Sequence, residues 1–328
     1  MTETSASSLV TFALFAFNQE KYVRDAVRAA LAQVYTPLAI IFSDDASTDG
    51  TFQIIEEEVA GYHGPHRILL NRNEKNLGAC AHVNLVVSMA KSDFIVLAAG
   101  DDISMPERTT VLVNAYHNAG TQHFYVSSNA EIMGSDSRPT GRHIIRGPSP
   151  DNLERHARGS AMPLGASEAF TKSLFDFFGD MNQNLVNEDF VMPLRAYLLG
   201  KVTYVNVPLI RYRFGAGSVS QDDDRLARHD QLARRARYLA QQQIAVGDML
   251  RDVCFYCSRA EQRGSTARHD ALKRILLRRL ARLAVAESFN RYRSHGRWLR
   301  AGLELLRAPQ FLLSIVMAKV RPGPKASG

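Results

Sequence analysis

Short apolar runs alternate with helically patterned segments over the first hundred residues of this 328-residue chain. Each run predicts a buried strand, and apolar residues three and four apart predict the helices between them. The strands are predicted at residues 9–15, 38–42, 67–70 and 94–98. Strands and helices in this order form a parallel sheet through right-handed crossovers. We expect an α/β fold, Rossmann-like, with a mainly parallel sheet flanked by helices.

The fourth predicted strand stops at two adjacent carboxylates, Asp101 and Asp102. Open α/β sheets place ligands at the carboxyl ends of their strands, and paired acids there suit a divalent cation. The pair therefore predicts an enzyme that handles a phosphorylated substrate. Both acids also suit the first turn of a helix beginning near Met105 and Pro106, and the two roles are compatible.

The pattern changes after residue 120. The later segments predict a strand at 123–127, a loop at 134–147, helices at 167–178 and 190–199, and an extended segment at 202–213. From residue 222 the chain is rich in Arg and Ala and predicts helix, with turn signals at Gly264 and Pro309. We place a domain boundary near residue 221, which gives a domain of residues 1–221 and a helical region of residues 222–328.

The net charge of +7 conceals an asymmetry. Residues 222–328 carry 22 Lys and Arg against 10 Asp and Glu, a net charge of +12, which leaves −5 for residues 1–221. An acidic body with a basic tail predicts a polyanionic partner. Arginines among apolar residues from 271 onward favour an anionic membrane surface. A packed helical cap or a homo-oligomer interface is the alternative, and nucleic acid is disfavoured because no stacking aromatics accompany the arginines.

Targeting signals and cysteines bear on the compartment. The first eight residues lack the basic segment and the following apolar segment of a signal peptide. No apolar run reaches the roughly 18 residues that a membrane-spanning helix needs. Cys80, Cys254 and Cys257 form no disulfide framework and suit a reducing setting. Cys254 and Cys257 lack a second ligand pair, so zinc is disfavoured. We expect a cytoplasmic protein, peripheral at the inner face of the cell membrane.

The chain carries four loop motifs, namely residues 15–22, residues 43–51, Asn76-Leu77-Gly78 with Asn84, and Gly100-Asp101-Asp102. Together they resemble the nucleotide-sugar-binding half of a family 2 glycosyltransferase, an enzyme of the GT-A fold. The resemblance implies a nucleotide-sugar half at 8–120 and an acceptor half at 121–221. It also implies inverting transfer of a hexosyl or N-acetylhexosaminyl group from a nucleotide diphosphate sugar, UDP-linked, to a hydroxyl of a surface polysaccharide or lipid-linked glycan precursor.

The first two loops carry residues that suit the nucleotide base. A nucleotide sugar needs a platform for its planar base and a carboxylate for base N–H or ribose hydroxyl groups. Phe17 and Asn18 suit the platform, and Asp44 or Asp45 suits the base edge; the resemblance assigns the base to Asp45. Taken singly, these acids also suit a turn that caps a helix.

The third and fourth loops complete the predicted donor site. Asn76 and Gly78 match the third motif of the family. The resemblance implies that Asp101 lies near the ribose and that Asp102 holds manganese or magnesium. Ala99 stands where many relatives have a further Asp, so the cation is expected to take more of its ligands from water and from diphosphate oxygens.

A second acid pair, Glu188 and Asp189, precedes the predicted helix 190–199. Inverting transfer needs a general base that removes the proton of the acceptor hydroxyl. The resemblance implies that Asp189 is this base and that Glu188 orients it or binds acceptor. A helix N-cap is the other interpretation of this pair. Residues 162–167 resemble the loop that shapes the acceptor entrance, or form a plain capping loop.

Arg213 lies in a segment that resembles the closing motif of the family. Gly215 stands where that motif often has His, so Arg211 or Arg213 is expected to help neutralise the leaving diphosphate. Two other functions remain open. A nucleotidyltransferase would share the acidic metal site, although residues 16–19 lack the Gly-rich phosphate loop of that class. A degenerate domain that binds partners through its basic tail is the non-enzymatic alternative.

Overall fold

The structure, a computed structural model, describes residues 8–145, 152–160, 162–214, 228–260 and 267–295. These residues divide into two compact units. The first unit contains 8–145, 152 and 162–214, and the second contains 153–160, 228–260 and 267–295. The segment 153–160, which we expected in the domain 1–221, thus falls with the C-terminal helices.

The first unit begins with alternating strands and helices. They are β1 (Val10–Ala16), α1 (Val23–Leu31), β2 (Leu38–Asp44), α2 (Thr51–Ala60), β3 (Arg67–Arg72), α3 (Ala79–Met89) and β4 (Phe94–Ala99). These strands pair in parallel in the order β3-β2-β1-β4. The four predicted strands and their parallel pairing are confirmed.

The chain continues with shorter and more varied elements. They are β5 (Ile103–Ser104), α4 (Arg108–Ala119), β6 (Phe124–Met133), β7 (Pro139–Ile144), α5 (Asn152–Ala157), β8 (Ala169–Thr171), α6 (Lys172–Phe178), α7 (Met192–Leu199) and β9 (Lys201–Arg213). The full sheet order is β3-β2-β1-β4-β8-β6-β9-β5, with β7 paired to β6. The sheet is therefore mixed: β6 and β9 are parallel, whereas β8 is antiparallel to both its neighbours.

Two predictions for this part are wrong. The predicted loop 134–147 contains β7, and the predicted helix 167–178 begins only at Lys172. Residues 169–171 instead form β8, which inserts between β4 and β6. Ala169 and Phe170 are fully buried there, and burial within a sheet overrides the helical spacing of so short a segment. The extended segment predicted at 202–213 is confirmed as β9.

The core of the first unit lies against the central strands. Fully buried side chains include Phe12, Ile40, Val96 and Val126, one from each of four strands. β3 is different because most of its side chains are exposed or half-buried, as suits the edge strand of a sheet. The central strands thus hold the carboxyl-end loops on a rigid base.

The second unit is helical, as predicted. It consists of α8 (Arg228–Ala260) and α9 (Ala267–His295) with most of α5. Cys254 and Cys257 are free thiols on α8. In the described part of the chain, no helix is long and apolar enough to cross a membrane. Residues 296–328, which include the later part of the arginine-containing segment that begins at 271, lie outside the described residues, as does Gly215.

Candidate active site

The first, second and fourth predicted loops leave the same edge of the sheet. In the parallel register, Ala16 lies opposite Asp44, and Phe15 lies opposite Ala99. The third loop follows β3, whose last residue, Arg72, also lies opposite Asp44. All four motifs therefore follow strands whose carboxyl ends lie at one edge of the sheet. This edge is where open α/β folds bind ligands.

The first loop is held to the second by Asn18. Its backbone N–H donates to Ser47 Oγ at 2.8 Å, and its side-chain Oδ1 accepts from the Thr48 N–H at 2.9 Å. Asn18 has a left-handed φ of 51°, which Asn tolerates better than most residues. Phe17 is 44% exposed beside it. Asn18 thus fixes the loop, and Phe17 presents an accessible ring that suits stacking on a planar base.

The acids of the second loop have different partners. Asp44 is fully buried and accepts from the Ser47 N–H at 2.9 Å, while Arg72 lies 3.6 Å away. Asp45 accepts from Leu77 N–H at 2.8 Å and from Gly78 N–H at 3.0 Å. Asp44 therefore closes its own turn, as the capping interpretation has it, and Asp45 anchors the third loop.

The third loop depends on this anchor. Asn73 Nδ2 donates to Asp45 Oδ1 at 2.8 Å, which makes three hydrogen bonds to one carboxylate. A carboxylate has about four lone-pair positions, so Asp45 retains one on Oδ2 for a further donor. Gly78 has φ 83° directly before α3, and Asn76 is exposed. Direct contact of Asp45, Asn76 or Gly78 with a nucleotide stays a prediction.

Gly100 brings the acid pair close to β1. Its N–H donates to the Phe15 carbonyl oxygen at 2.8 Å. A Cβ at this position would lie 3.1 Å from the same oxygen and 2.5 Å from Gln19 Oε1. Glycine is therefore the residue that lets the turn after β4 approach β1.

Asp102 is the most informative side chain at this edge. It is 5% exposed, and its Oδ1 accepts from the Arg213 backbone N–H at 2.8 Å. Its Oδ2 is buried and has no hydrogen-bond partner among the described residues. Burial raises the pKa of Asp102 well above its ordinary value, and the negative charge of Asp101 is the second contribution in the same direction. Burial also raises the pKa of Asp101.

These features fit a divalent cation. A buried carboxylate oxygen without a partner costs free energy, and a cation would both satisfy it and favour its charged form. Within the described ranges, no three His, Cys, Asp or Glu side chains are arranged as a metal cluster. Magnesium accepts one or two carboxylates and takes its other ligands from water and phosphate. Asp102, with Asp101 beside it, fits a cation of that kind.

Arg213 supports the acid pair from β9. Its Nε donates to the Asp101 carbonyl oxygen at 2.9 Å, its Nη1 to the Gly134 carbonyl at 3.0 Å and its Nη2 to Ser137 Oγ at 3.0 Å. Its guanidinium also lies 4.2 Å from the ring centre of Tyr22, and the residue is 1% exposed. Arg213 is thus a positioning residue for the turn at 101–102, and a direct contact with diphosphate stays a prediction.

The second acid pair lies in a 3-10 turn, Glu188–Phe190, before α7. Both acids are half-buried. A Cβ on Gly165 would lie 2.7 Å from Glu188 Oε1 and 3.2 Å from Asp189 Cβ. The structure therefore brings the predicted acceptor loop into contact with the pair. Burial raises the pKa of Glu188.

A buried group between the two acid pairs was missed by the sequence analysis. Glu168 and Arg108 are both fully buried, and the Glu168 carboxyl lies beside the Tyr125 hydroxyl without a hydrogen bond of regular geometry. Burial raises the pKa of Glu168 well above its ordinary value, and the charges of Glu188 and Asp189 add to the effect. An acid inside the otherwise small and apolar segment 164–170 was the available sequence signal.

Arg108 is a buried cation whose charge acts on both Asp102 and Glu168. It donates to the Leu97 carbonyl at 2.7 Å, to the Ala166 carbonyl at 3.1 Å and to Ser104 Oγ at 2.9 Å. Burial lowers its pKa to about 10, and the charges of Asp102 and Glu168 act in the opposite direction. The guanidinium of Arg108 therefore partly compensates the negative charge of Asp102 and that of Glu168.

Comparisons with known proteins agree with this geometry. Residues 11–177 match the family model described as glycosyl transferase family 2. The chain is 28% identical over 216 residues to the Escherichia coli UDP-Glc:alpha-D-GlcNAc-diphosphoundecaprenol beta-1,3-glucosyltransferase WfaP, covering 65% of this chain and 80% of WfaP. Four other curated relatives are 35% to 39% identical, but the chain spans only 25% to 32% of their length.

Solved structures share the fold. S. aureus TarS 1-349 in complex with UDP-GlcNAc has a TM-score of 0.54 at 13% identity, covering 94% of this chain and 90% of TarS. The Pyrobaculum calidifontis mannosyltransferase PcManGT, in complex with GDP-Man and Mn²⁺, has a TM-score of 0.52 at 18% identity. The match covers 97% of this chain and 82% of PcManGT. The family match spans the three loops and the acid pair at the carboxyl edge of β1 to β4, and the chain belongs to glycosyl transferase family 2.

Proposed function

We propose that this protein is an inverting glycosyltransferase that takes its sugar from a nucleotide diphosphate sugar with the help of a divalent cation. The observation that carries the proposal is Asp102, whose buried Oδ2 has no hydrogen-bond partner within the described part of the chain and lies at the edge where α/β folds bind ligands. The exposed ring of Phe17 offers a platform for the base at the same edge.

The proposed chemistry is a displacement at the anomeric carbon. Asp102 would hold manganese or magnesium, which would supply positive charge for the leaving diphosphate. Asp189 accepts the proton of the acceptor hydroxyl as its oxygen bonds to the anomeric carbon. The bond from that carbon to the diphosphate breaks, and the diphosphate leaves with the electron pair. Glu188 lies beside this base, and burial raises its pKa because the charged form is disfavoured there.

The substrates named for similar proteins support a proposal for the donor and the acceptor of this protein. WfaP acts on UDP-Glc and a diphosphoundecaprenol-linked acceptor, and TarS was solved with UDP-GlcNAc. We infer a UDP-linked hexose or N-acetylhexosamine as donor, and a hydroxyl of a lipid-linked precursor of surface polysaccharide as acceptor. The charge of +12 on residues 222–328 supports a cytoplasmic protein held at the anionic inner face of the membrane.

A donor screen tests the proposal. UDP-glucose, UDP-galactose, their N-acetylhexosamine counterparts and GDP-mannose are each incubated with the protein and Mn²⁺, and release of nucleoside diphosphate by hydrolysis is measured. We expect release from at least one donor, loss of release with EDTA or with Asp102→Asn, and no change with Asp176→Asn, which alters an exposed acid on α6. If no donor is bound or hydrolysed, the domain is a degenerate binding module.

A further inference from the structure

The second unit contains a cavity of about 400 Å³ among α5, α8 and α9. This volume lies in the range of about 300–1,000 Å³ that is typical of ligand pockets. Four of its lining residues are arginines, namely Arg158, Arg278, Arg279 and Arg282. The catalytic proposal uses none of them.

Arg279 is fixed in the wall of this pocket. Its Nη1 donates to the Ala157 carbonyl oxygen at 3.0 Å, at the C-terminal end of α5, and its Nη2 donates to Gln242 Oε1. Gly159 makes room for it, since a Cβ there would lie 2.5 Å from Arg279 Nη2. The negative end of α5 therefore compensates this guanidinium, and its position in the wall is set by the fold.

The other three arginines have little compensating charge. Arg158 pairs with Glu154 at 3.2 Å, an exposed pair of small energetic value. Arg278 and Arg282 are exposed and lie four residues apart on α9, where like charges repel. Among the residues that the structure describes, neither has an acid within ion-pair distance. The pocket thus concentrates positive charge at some cost to stability.

The rest of the lining is partly apolar. Ile275, Leu283 and Ala286 lie on α9 with three of the arginines, and Tyr238 adds an exposed ring from α8. Guanidinium groups bind phosphate oxygens through paired hydrogen bonds, whereas aliphatic and aromatic side chains contact the organic part of a ligand. A phosphate ester or diphosphate ester has both parts.

We propose that this pocket of the second unit is a binding site for a phosphate or diphosphate group, with Arg278 and Arg282 as the binding residues and Arg279 as the anchor of the wall. The group can come from a soluble phosphate compound or from the headgroup of a membrane lipid. The described lining residues include no acid, so the site differs in its chemistry from the carboxylates of the first unit.

Calorimetric titration of the full chain with pyrophosphate in EDTA tests the proposal. We expect saturable binding at one site, weakened at least about tenfold by R278Q/R282Q. The matched control is R268Q/R274Q, which removes the same charge from exposed positions of α9 outside the pocket and should change affinity by less than about twofold. Unfolding midpoints of all three proteins check that the substitutions leave the fold intact.

Vesicles distinguish the two sources of the group. Cosedimentation compares phosphatidylglycerol mixed with phosphatidylcholine against phosphatidylcholine alone. Binding to the anionic vesicles that needs Arg278 and Arg282 and is displaced by pyrophosphate identifies a lipid headgroup; pyrophosphate binding without vesicle binding identifies a soluble compound. Absence of saturable pyrophosphate binding, or equal weakening by both double variants, overturns the proposal. Donor hydrolysis by R278Q/R282Q is measured separately, and its retention shows that the first unit is unaffected.

Discussion

The backbone N–H of Arg213 donates to Oδ1 of Asp102 at 2.8 Å although the two residues are 111 positions apart. This bond occupies one carboxylate oxygen and leaves the buried Oδ2 without a partner among the described residues. The last strand of the first unit therefore determines which oxygen of Asp102 is available to a cation. The Arg213 side chain reinforces the arrangement by donating to the Asp101 carbonyl at 2.9 Å.

Asp189→Asn should abolish turnover and leave donor binding intact. Asn has nearly the same shape but cannot take the proton of the acceptor hydroxyl, and loss of a general base costs about 10²- to 10⁴-fold in kcat. Donor hydrolysis and calorimetric donor binding are measured in parallel. Asp176→Asn, an exposed acid paired with Lys172, is the control. Near-normal turnover of Asp189→Asn would remove this residue as the base.

Gly165→Ala should impair catalysis by displacing the second acid pair. The added Cβ would lie 2.7 Å from Glu188 Oε1, so that side chain must move. Misplacement of a catalytic group by about 1 Å costs on the order of 10²-fold in rate. We expect kcat to fall while the donor Kd stays unchanged. Unchanged kcat would show that the pair tolerates displacement and is not part of the reacting centre.

Glu168→Gln should stabilise the protein at neutral pH. The pKa of Glu168 is raised in the folded state, so the folded chain binds the proton more tightly than the unfolded chain. Wild-type stability therefore falls as pH rises above the unfolded value of about 4.3, by about 1.4 kcal/mol for each unit of the pKa difference. A Gln side chain does not titrate, so Glu168→Gln lacks this loss of stability with rising pH. The higher stability of Glu168→Gln relative to the wild type should therefore vanish near pH 4.

Urea unfolding at several pH values measures this effect. The control is Glu56→Gln, an exposed acid on α2, which should follow the wild type at every pH. A Glu168→Gln protein that is less stable than the wild type at neutral pH, by an amount independent of pH, would contradict the account.

Gly100→Ala should destabilise the first unit. The new Cβ would meet the Phe15 carbonyl oxygen at 3.1 Å and Gln19 Oε1 at 2.5 Å, and overpacking of this kind costs about 1–3 kcal/mol. Gly61→Ala is the matched control because the nearest atom to its Cβ would be 4.0 Å away. Chemical denaturation compares the free energies of unfolding. Equal free energies of unfolding for the two variants would mean that the space between Gly100 and β1 can accommodate a Cβ.

The sequence predicts the first half of the fold well because its strands and helices are regular and local. It fails at residues 169–171, where three residues are too few to show a period and pairing with both β4 and β6 decides the conformation. The strand at 139–144 was missed for a related reason, since its exposed residues lack apolar alternation.

The same distinction applies to the site. Asp102 and the pair Glu188–Asp189 can be found from sequence because paired acids next to strand and helix ends are visible locally. The surroundings of these acids cannot be found from sequence, because Arg108 contacts the carbonyl oxygens of Leu97 and Ala166 only in the folded chain. Arg108 and Ala166 are 58 positions apart, and a contact over that separation leaves no local pattern in the sequence.

Calorimetric titration of UDP and GDP in the presence of Mn²⁺, on the wild type and on Asp102→Asn, tests the central claim most directly. Asn keeps an acceptor for the Arg213 N–H but lacks the charge that a cation needs. The account predicts that Mn²⁺ strengthens binding of at least one nucleotide to the wild type by about tenfold or more, and that Asp102→Asn loses this gain. Equal Mn²⁺-dependent affinity in both proteins would contradict it.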